Sequence, residues 1–303
     1  MLDEFKRQWR SGSVVIRLIL INVAVFLALV ATYLLMLIAA GSGPLAEAMR
    51  DFYVMQWLRS TADLHLLMYR PWTVITYMFT HTGVWHLFWN MLLLYFGGRL
   101  FEDLLGGRRL LGNYLLGGLS GFALYAVLSN LMPGLNGGAA GSAILGASAG
   151  VISVFVGIAA YQPHMLVNVI IIGPVKLMYV AAIFVLLDFV GIGSGDGVAH
   201  EAHIGGALYG LLAAQQLRRG NDWSLGFVNV LDKAFGFLRG KRGPRMRVEK
   251  SFSRAARKSD TDFNAAKKNK QAKVDAILDK ISRSGYDSLS KEEKDFLFKA
   301  GNG

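Results

Sequence analysis

Six stretches of this sequence are apolar and long enough, or nearly so, to cross the hydrocarbon core of a membrane. A membrane-spanning α-helix needs about 20 predominantly apolar residues, and a chain with several such stretches does not fold as an ordinary water-soluble domain. The fourth stretch is too short to cross unaided. The sequence therefore predicts an all-α membrane protein with spans at residues 14–40, 83–101, 109–131, 148–161, 174–192 and 199–217.

Composition agrees with a membrane location. Hydrophobic residues make up 53% of the chain and charged residues 17%, against about 45–50% and about 25% in soluble domains. The net charge of +11 is uneven, because residues 239–303 carry +9 and residues 1–238 only +2. A basic tail on an apolar body is not a nucleic-acid-binding surface, so we predict no nucleic-acid partner. The chain has no cysteine, which excludes a thiol nucleophile and cysteine-based metal sites.

The basic residues between the spans predict the orientation of the chain. Loops on the cytoplasmic side of a membrane are enriched in Lys and Arg. These residues cluster before the first span, between the second and third, at the start of the fifth and after the sixth, whereas residues 131–147 and 193–198 contain none. Loop 41–82 departs from the pattern with three arginines. We therefore predict a multi-pass protein with both termini in the cytoplasm.

The segments outside the spans have their own predicted roles. Loop 41–82 is rich in aromatic residues, and we expect it to lie in the membrane interface. The glycine-rich stretch 131–147 is expected to dip into the membrane, where non-helical backbone survives only when protein or cavity water surrounds it. In the tail, Ser290 and Glu293 match a capping box. The predicted organisation is a cytoplasmic N-terminus (1–13), a membrane domain (14–217), a basic amphipathic or disordered linker (218–273) and a small helical hairpin (274–303).

Ser148 and His203 are the candidate nucleophile and general base. Ser148 follows Gly146 at the predicted start of the short fourth span, where unpaired N–H groups favour developing negative charge. This G-x-S-x-G match is weak alone, since small residues also pack membrane helices. His203 places an ionisable ring within the sixth span, which is costly and typical of functional sites. Gly206 and Gly210 then allow a neighbouring helix to come close, so a serine and its base can meet.

His86 and Asn90 are the candidate stabilisers of a developing oxyanion. They stand four residues apart in the second span and therefore share one helix face. Two neutral donors on one face can polarise a carbonyl and hold its negative charge. Structural roles are also open for both residues: an interhelical hydrogen bond for Asn90 and an interfacial anchor for His86.

Together these motifs resemble the rhomboid family of intramembrane serine proteases. That family carries H-x-x-x-N on the second span, G-x-S at the start of the fourth and A-H-x-G-G on the sixth. Glu102, in the sequence RLFEDLLG, is similar to an acidic residue that the family has after the second span. Ala149 departs from the family, which usually has glycine after the nucleophile, and Pro71-Trp72-Thr73 stands where Trp-Arg is common. The matching residues are His86, Asn90, Gly146, Ser148, Ala202, His203, Gly205 and Gly206.

The resemblance implies a rhomboid-like bundle of six transmembrane helices, with a short central helix that carries the nucleophile and a re-entrant loop before it. Ser148 would attack a peptide bond of a single-span membrane-protein substrate, and His203 would act as its base, with no cofactor and no metal. The family's catalytic dyad has no acidic member, so neither Asp188 nor Glu201 is assigned to His203. The implied location is the lipid bilayer of a bacterial inner membrane, with the site open to the non-cytoplasmic side. The C-terminal tail is a candidate binding site for a cytoplasmic partner, which the resemblance does not identify.

Three other functions compete with this interpretation. An α/β-hydrolase would place Ser148 on a strand-to-helix turn, but no alternating strand pattern surrounds it. The sequence His200-Glu201-Ala202-His203 is one residue short of the H-E-x-x-H zinc motif. A catalytically silent, rhomboid-like protein that binds membrane clients stays open, although this chain keeps Ser148 and His203. We expect His65 and His164 at the surface, and His81 and His200 near the site, where they would tune hydration or the response to pH.

Overall fold

The computed structural model describes residues 12–132, 143–169, 173–238 and 251–301. The described chain is mostly α-helical and divides into two units, Met1–Leu238 and Arg239–Gly303. The division coincides with the step in charge along the sequence. The predictions for residues 1–11, for most of stretch 131–147 and for residues 239–250 of the linker lie outside the described residues.

Helices form at all six predicted spans of the first unit. Two of them, Val14–Ala40 and Gly107–Leu131, are each long and apolar enough to cross a membrane, and Ser148–Tyr161 and Leu177–Gly191 are shorter apolar helices. Short 3₁₀ turns cover Met55–Trp57 and Tyr77–Phe79. In chain order the unit contains α1 (Val14–Ala40), α2 (Gly43–Tyr53), β1 (Ser60–Thr61), α3 (Leu64–Tyr69), α4 (Thr73–Thr76), α5 (Val84–Leu105), α6 (Gly107–Leu131), β2 (Ala143–Ile144), α7 (Ser148–Tyr161), β3 (Leu166–Val169), β4 (Gly173–Lys176), α8 (Leu177–Gly191), α9 (His200–Arg218) and α10 (Trp223–Leu238).

Helix α7 lies at the centre of this unit. Every residue from 149 to 159 is buried, as expected for a helix that is apolar on all sides. Helices α5, α6, α8 and α9 pack around it. Glycines make the α9 contact close: a Cβ at Gly206 would overlap the Ala149 carbonyl oxygen and lie 2.8 Å from its carbon, and a Cβ at Gly210 would overlap the Ser153 oxygen. The predicted role of these two glycines is confirmed.

Glu102 joins the end of α5 to the start of α1. Its Oε1 accepts a hydrogen bond from the Val14 N–H at 2.6 Å, and its Oε2 accepts one from the Ser13 hydroxyl at 2.8 Å. The first N–H groups of a helix have no partner within the helix, and a carboxylate there is also favoured by the helix dipole. This acidic residue therefore acts as a cap supplied by another helix.

Loop 41–82 contains α2, α3, α4 and a short strand. Strand β1 pairs antiparallel with β2, with Ser60 opposite Ile144 and Thr61 opposite Ala143. The exposed rings of Trp57 and Trp72 stack with their centroids 6.1 Å apart. The strand pairing connects this loop to the residues that immediately precede Ser148, and its placement in a membrane interface stays a prediction.

The second unit is a helical hairpin that begins earlier than predicted. Helix α11 (Ser251–Ser284) ends at Gly285, whose φ is +76°, and α12 (Lys291–Gly301) follows a 3₁₀ turn. The predicted start of the hairpin at residue 274 is therefore too late, since the helix begins at Ser251. No Gly or Pro interrupts residues 251–284, and Ala, Lys and Gln favour helix. The capping box is confirmed, because Ser290 N–H donates to Glu293 Oε2 at 2.8 Å and Glu293 N–H to Ser290 Oγ at 3.3 Å.

Candidate active site

Ser148 is the first residue of α7, as the sequence predicts. Gly146 precedes it with a φ of +121°, a conformation that favours glycine. A Cβ at Gly146 would also lie 2.8 Å from the His86 ring. Glycine at this position therefore lets the turn into α7 form directly against His86, and the serine hydroxyl follows at the helix N-terminus.

The Ser148 hydroxyl and the His203 ring are in direct contact. Ser148 Oγ and His203 Nε2 are 2.6 Å apart, which is a hydrogen-bond distance. The close approach of α9 to α7 at Gly206, one turn beyond His203, makes this short separation feasible. Ala149 fits at the same contact because Gly121 faces it: a Cβ at Gly121 would lie 2.5 Å from the Ala149 Cβ.

His86 and Asn90 line the same cavity as Ser148 and His203. The cavity has a volume of about 320 Å³. Asn90 is buried, and its Nδ2 donates to the His86 carbonyl oxygen at 2.9 Å. The amide nitrogen of Asn90 carries two N–H groups, and this bond uses one of them. All four predicted site residues thus border one space.

His81 supports the turn that precedes Ser148. Its ring is fully buried, and Nε2 accepts a hydrogen bond from the Ala147 N–H at 3.3 Å. Burial, with a smaller contribution from the charge of His86, lowers the pKa of His81 to about 4. A neutral ring can keep a nitrogen lone pair for this bond. Gly146 N–H donates to the Tyr77 carbonyl oxygen at 2.9 Å, so two backbone groups of the turn are fixed from residues 77–81.

Asp188 is a site residue that was not predicted from the sequence. Its Oδ1 lies 2.7 Å from His203 Nδ1, so the prediction that His203 has no acidic partner is wrong. Glu201, the other carboxylate considered, is buried, and its Oε1 has no hydrogen-bond partner among the described residues. One signal was present in the sequence: Asp188 is the only charged residue of the α8 segment Leu177–Gly191.

His200 extends this group of polar side chains. Its Nδ1 lies 2.8 Å from Asp188 Oδ1, and its Nε2 lies 3.0 Å from Asp196 Oδ2. Asp188, His200 and His203 also present ligand atoms of the types that bind zinc, all within 4.8 Å of one another. The separations from Asp188 Oδ1 to the two rings are hydrogen-bond distances. Hydrogen bonding therefore accounts for this arrangement without a cation.

The remaining histidines lie where the sequence predicts. His65 and His164 are exposed, and neither lines the cavity at Ser148. His81 and His200 are both near Ser148, each in contact with a neighbour of the site. The described residues therefore divide the six histidines of the chain into two surface residues and four at or beside the cavity.

Comparison with known proteins finds one family match within each unit. Residues 69–220 match the family model of the rhomboid domain, and residues 258–299 match a family of unknown function, DUF6576. RHOMBOID-like protein 4 of Arabidopsis thaliana is 29% identical over 175 residues, which are 57% of this chain and 38% of that protein. The chain thus spans less than two-fifths of the length of this curated relative. All the residues that line the cavity fall within the rhomboid match.

Proposed function

Because this chain belongs to the rhomboid family, we propose that it is a serine endopeptidase that cleaves the transmembrane segments of membrane proteins. The observation that carries this proposal is the 2.6 Å separation between Ser148 Oγ and His203 Nε2. A serine hydroxyl is a weak nucleophile unless a base takes its proton. Direct contact with an imidazole nitrogen, inside a cavity, supplies that base.

The mechanism follows from this contact. As Ser148 Oγ forms a bond to the carbonyl carbon of the substrate, His203 Nε2 takes the hydroxyl proton. The tetrahedral intermediate collapses, the C–N bond breaks, and His203 returns the proton to the leaving amine. A water molecule, deprotonated by the same nitrogen, then hydrolyses the acyl-enzyme and restores the hydroxyl.

His86, Asn90 and the backbone N–H of Ser148 are the proposed donors to the oxyanion. They border the cavity in which the carbonyl oxygen would be placed, and the N–H of Ser148 is among the unpaired groups at the start of α7. Donors that are fixed before the reaction stabilise the developing charge without reorganising. These donors stabilise the neutral carbonyl oxygen of the bound substrate less than they stabilise the charged oxygen of the transition state.

Replacement of an oxyanion donor is expected to reduce turnover more than binding. His86→Ala and Asn90→Ala should each lower kcat by about 10²- to 10³-fold with little change in KM. The measurement is steady-state cleavage of a fluorogenic transmembrane peptide in detergent. The matched controls are His164→Ala and Asn168→Ala at exposed positions, which should leave kcat unchanged. Wild-type kcat in both cavity variants would contradict this role.

The proposed membrane arrangement has helices α1, α5, α6, α7, α8 and α9 crossing the bilayer as a six-helix bundle. Helix α7 has 14 residues, or about 21 Å at 1.5 Å per residue, which is shorter than a hydrocarbon core of about 30 Å. Its burial among the other helices supports a central position. Side chains that α1 and α8 expose are large and apolar, as a lipid-facing surface requires: Leu34, Leu35, Ile38, Leu186, Leu187, Phe189 and Val190.

Orientation and partners complete the proposal. The distribution of Lys and Arg supports cytoplasmic termini, and hence a site that opens to the non-cytoplasmic side of a bacterial inner membrane. Gly197, Val198 and Ala199, which precede α9, line the cavity and would be on that side. Single-span membrane proteins are the proposed substrates. The basic second unit is the proposed binding site for a cytoplasmic partner.

The experiment that tests the function uses the full chain reconstituted in liposomes with a single-span reporter protein. We expect cleavage within or beside the reporter's transmembrane segment, located by mass spectrometry of both fragments. Co-purification of the reporter without any cleavage would overturn the proteolytic function and support a silent rhomboid-like protein that binds membrane clients.

Removal of divalent cations is expected to leave the cleavage rate unchanged. The proposed reaction needs only a serine and its base, and His200-Glu201-Ala202-His203 is one residue short of the zinc protease motif. The measurement is reporter cleavage after incubation with EDTA, compared with an untreated sample. A loss of activity that zinc restores would show that the cluster of Asp188, His200 and His203 holds a catalytic metal instead.

A further inference from the structure

One carboxylate oxygen connects two histidines beside the proposed nucleophile. Asp188 Oδ1 lies 2.7 Å from His203 Nδ1 and 2.8 Å from His200 Nδ1. The three side chains are largely buried, with 13–15% of each exposed. Asp188 belongs to the last turn of α8, whereas both histidines are on α9. The interaction therefore fixes Nδ1 of His203, and the other ring nitrogen of His203, Nε2, contacts Ser148.

We propose that Asp188 is a positioning residue, which holds His203 in the tautomer and ring orientation that directs the Nε2 lone pair at Ser148. The inference rests on the proposed proteolytic function. A neutral imidazole has one N–H and one lone pair. When Nδ1–H donates to a carboxylate, the lone pair must be on Nε2, where the serine proton is transferred. The negative charge of Asp188 also favours the imidazolium that forms at that moment.

His200 and Asp196 hold Asp188 in turn. His200 contacts a carboxylate oxygen through each of its ring nitrogens, Asp188 on one side and Asp196 on the other. An ionised carboxylate only accepts hydrogen bonds, so with both aspartates ionised the two bonds form together only when His200 carries two N–H groups and is an imidazolium. That positive charge stabilises Asp188 as an anion. Asp188 thus stays a pure acceptor toward His203.

The competing explanation is that Asp188 only ties α8 to α9. The two explanations predict different results for Asp188→Asn. An asparagine has the same size, and its amide oxygen can still accept hydrogen bonds from both histidine rings. A purely structural connection between α8 and α9 would therefore be kept. The asparagine amide group is neutral, however, and its NH₂ can donate to Nδ1, which leaves the proton on Nε2 and removes the base.

The test compares Asp188→Asn with the wild type in reporter cleavage across pH. We expect kcat near neutral pH to fall by about 10²- to 10⁴-fold with little change in KM, as for loss of the acidic member of a triad. The rate of Asp188→Asn should also keep rising at pH values where the wild type has levelled off, because hydroxide then replaces the missing base. Among the described residues, the ionisable groups around His203 are Asp188, His200 and, across the cavity, His86 and Tyr77. Asp196 lies beyond His200, and only Asp188 is changed.

Controls separate this inference from the proposed function. Asp232→Asn, at an exposed ion pair with Arg108, should leave the rate and the pH profile unchanged. If Asp188→Asn fails to fold, Asp188→Glu and Asp188→Gln make the same comparison at equal side-chain length, and only Glu should retain activity. A wild-type rate and pH profile in Asp188→Asn would overturn the positioning role. Equal cleavage by wild type and Ser148→Ala would instead overturn the proteolytic function.

Discussion

Ser148→Ala is expected to lower kcat for the reporter by at least about 10⁴-fold, to the level of a reaction without an enzyme nucleophile. Alanine removes the oxygen that forms the acyl-enzyme, and it changes neither the other residues that line the cavity nor the Gly146 turn. Reporter binding, measured by fluorescence anisotropy in detergent, should therefore stay within about twofold of wild type. This separation of binding from turnover distinguishes a protease from a protein that only binds clients.

His203 provides an internal check on this result. Residues that act as a unit have non-additive effects, so the double variant Ser148→Ala/His203→Ala should be about as slow as Ser148→Ala. The matched serine control is Ser42→Ala, at an exposed position before α2 where the side chain makes no cap hydrogen bond, which should cleave at the wild-type rate. Substantial cleavage by Ser148→Ala would mean that another group is the nucleophile.

Gly206→Val is expected to abolish activity by separating α9 from α7. Any Cβ at this position overlaps the Ala149 carbonyl oxygen and lies 2.8 Å from the carbonyl carbon. Both obstructing atoms are backbone of the central helix, so relief requires the two helices to move apart. Overpacking costs about 1–3 kcal/mol or more, and the same movement lengthens the contact between Ser148 and His203. We expect a lower melting temperature in detergent together with loss of cleavage.

A second glycine makes the matched control for this prediction. Gly226 is on α10, where a Cβ would meet nothing within 4 Å. Gly226→Ala should keep full activity and raise stability slightly, because alanine favours helix over glycine by about 0.5–1 kcal/mol. If Gly206→Val melts and cleaves like wild type, the close approach of α9 and α7 does not support the site.

Much of this site could be predicted because the chemistry of membrane helices leaves strong signals. An apolar segment inside a membrane must pair its backbone groups internally and has few alternatives to a helix. Each predicted span accordingly coincides with a helix. His203 and Asn90 are conspicuous in apolar surroundings, and the glycines after His203 indicate close helix contact. The start of a helix at Ser148, directly after a glycine-rich stretch, is predicted from local sequence.

Asp188 could not be assigned from local sequence in the same way. Its meeting with His203 depends on the relative rotation and height of α8 and α9, which the loop between them and packing on α7 determine. No spacing rule connects residues on two different helices. The family resemblance argued against the assignment, since the resemblance implies a dyad without an acidic member.

The start of α11 was missed for a different reason. Residues 251–273 are polar and basic, and such a composition is shared by disordered linkers and by exposed helices. Absence of Gly and Pro over 251–284 was the stronger signal, since intrinsic propensity accumulates over a long segment. Apolar residues recur at helical spacing only from Val274 onward. The predicted helix therefore covers only the last part of α11.

The most direct test of the central claim is to locate a covalent adduct after labelling the purified protein with a fluorophosphonate. A phosphonate reacts with a serine that an adjacent base activates. We predict a single adduct on the peptide containing Ser148, strongly reduced in His203→Ala and absent in Ser148→Ala. Equal labelling of wild type and Ser148→Ala, or an adduct on another residue, would contradict the assignment of Ser148 as the nucleophile.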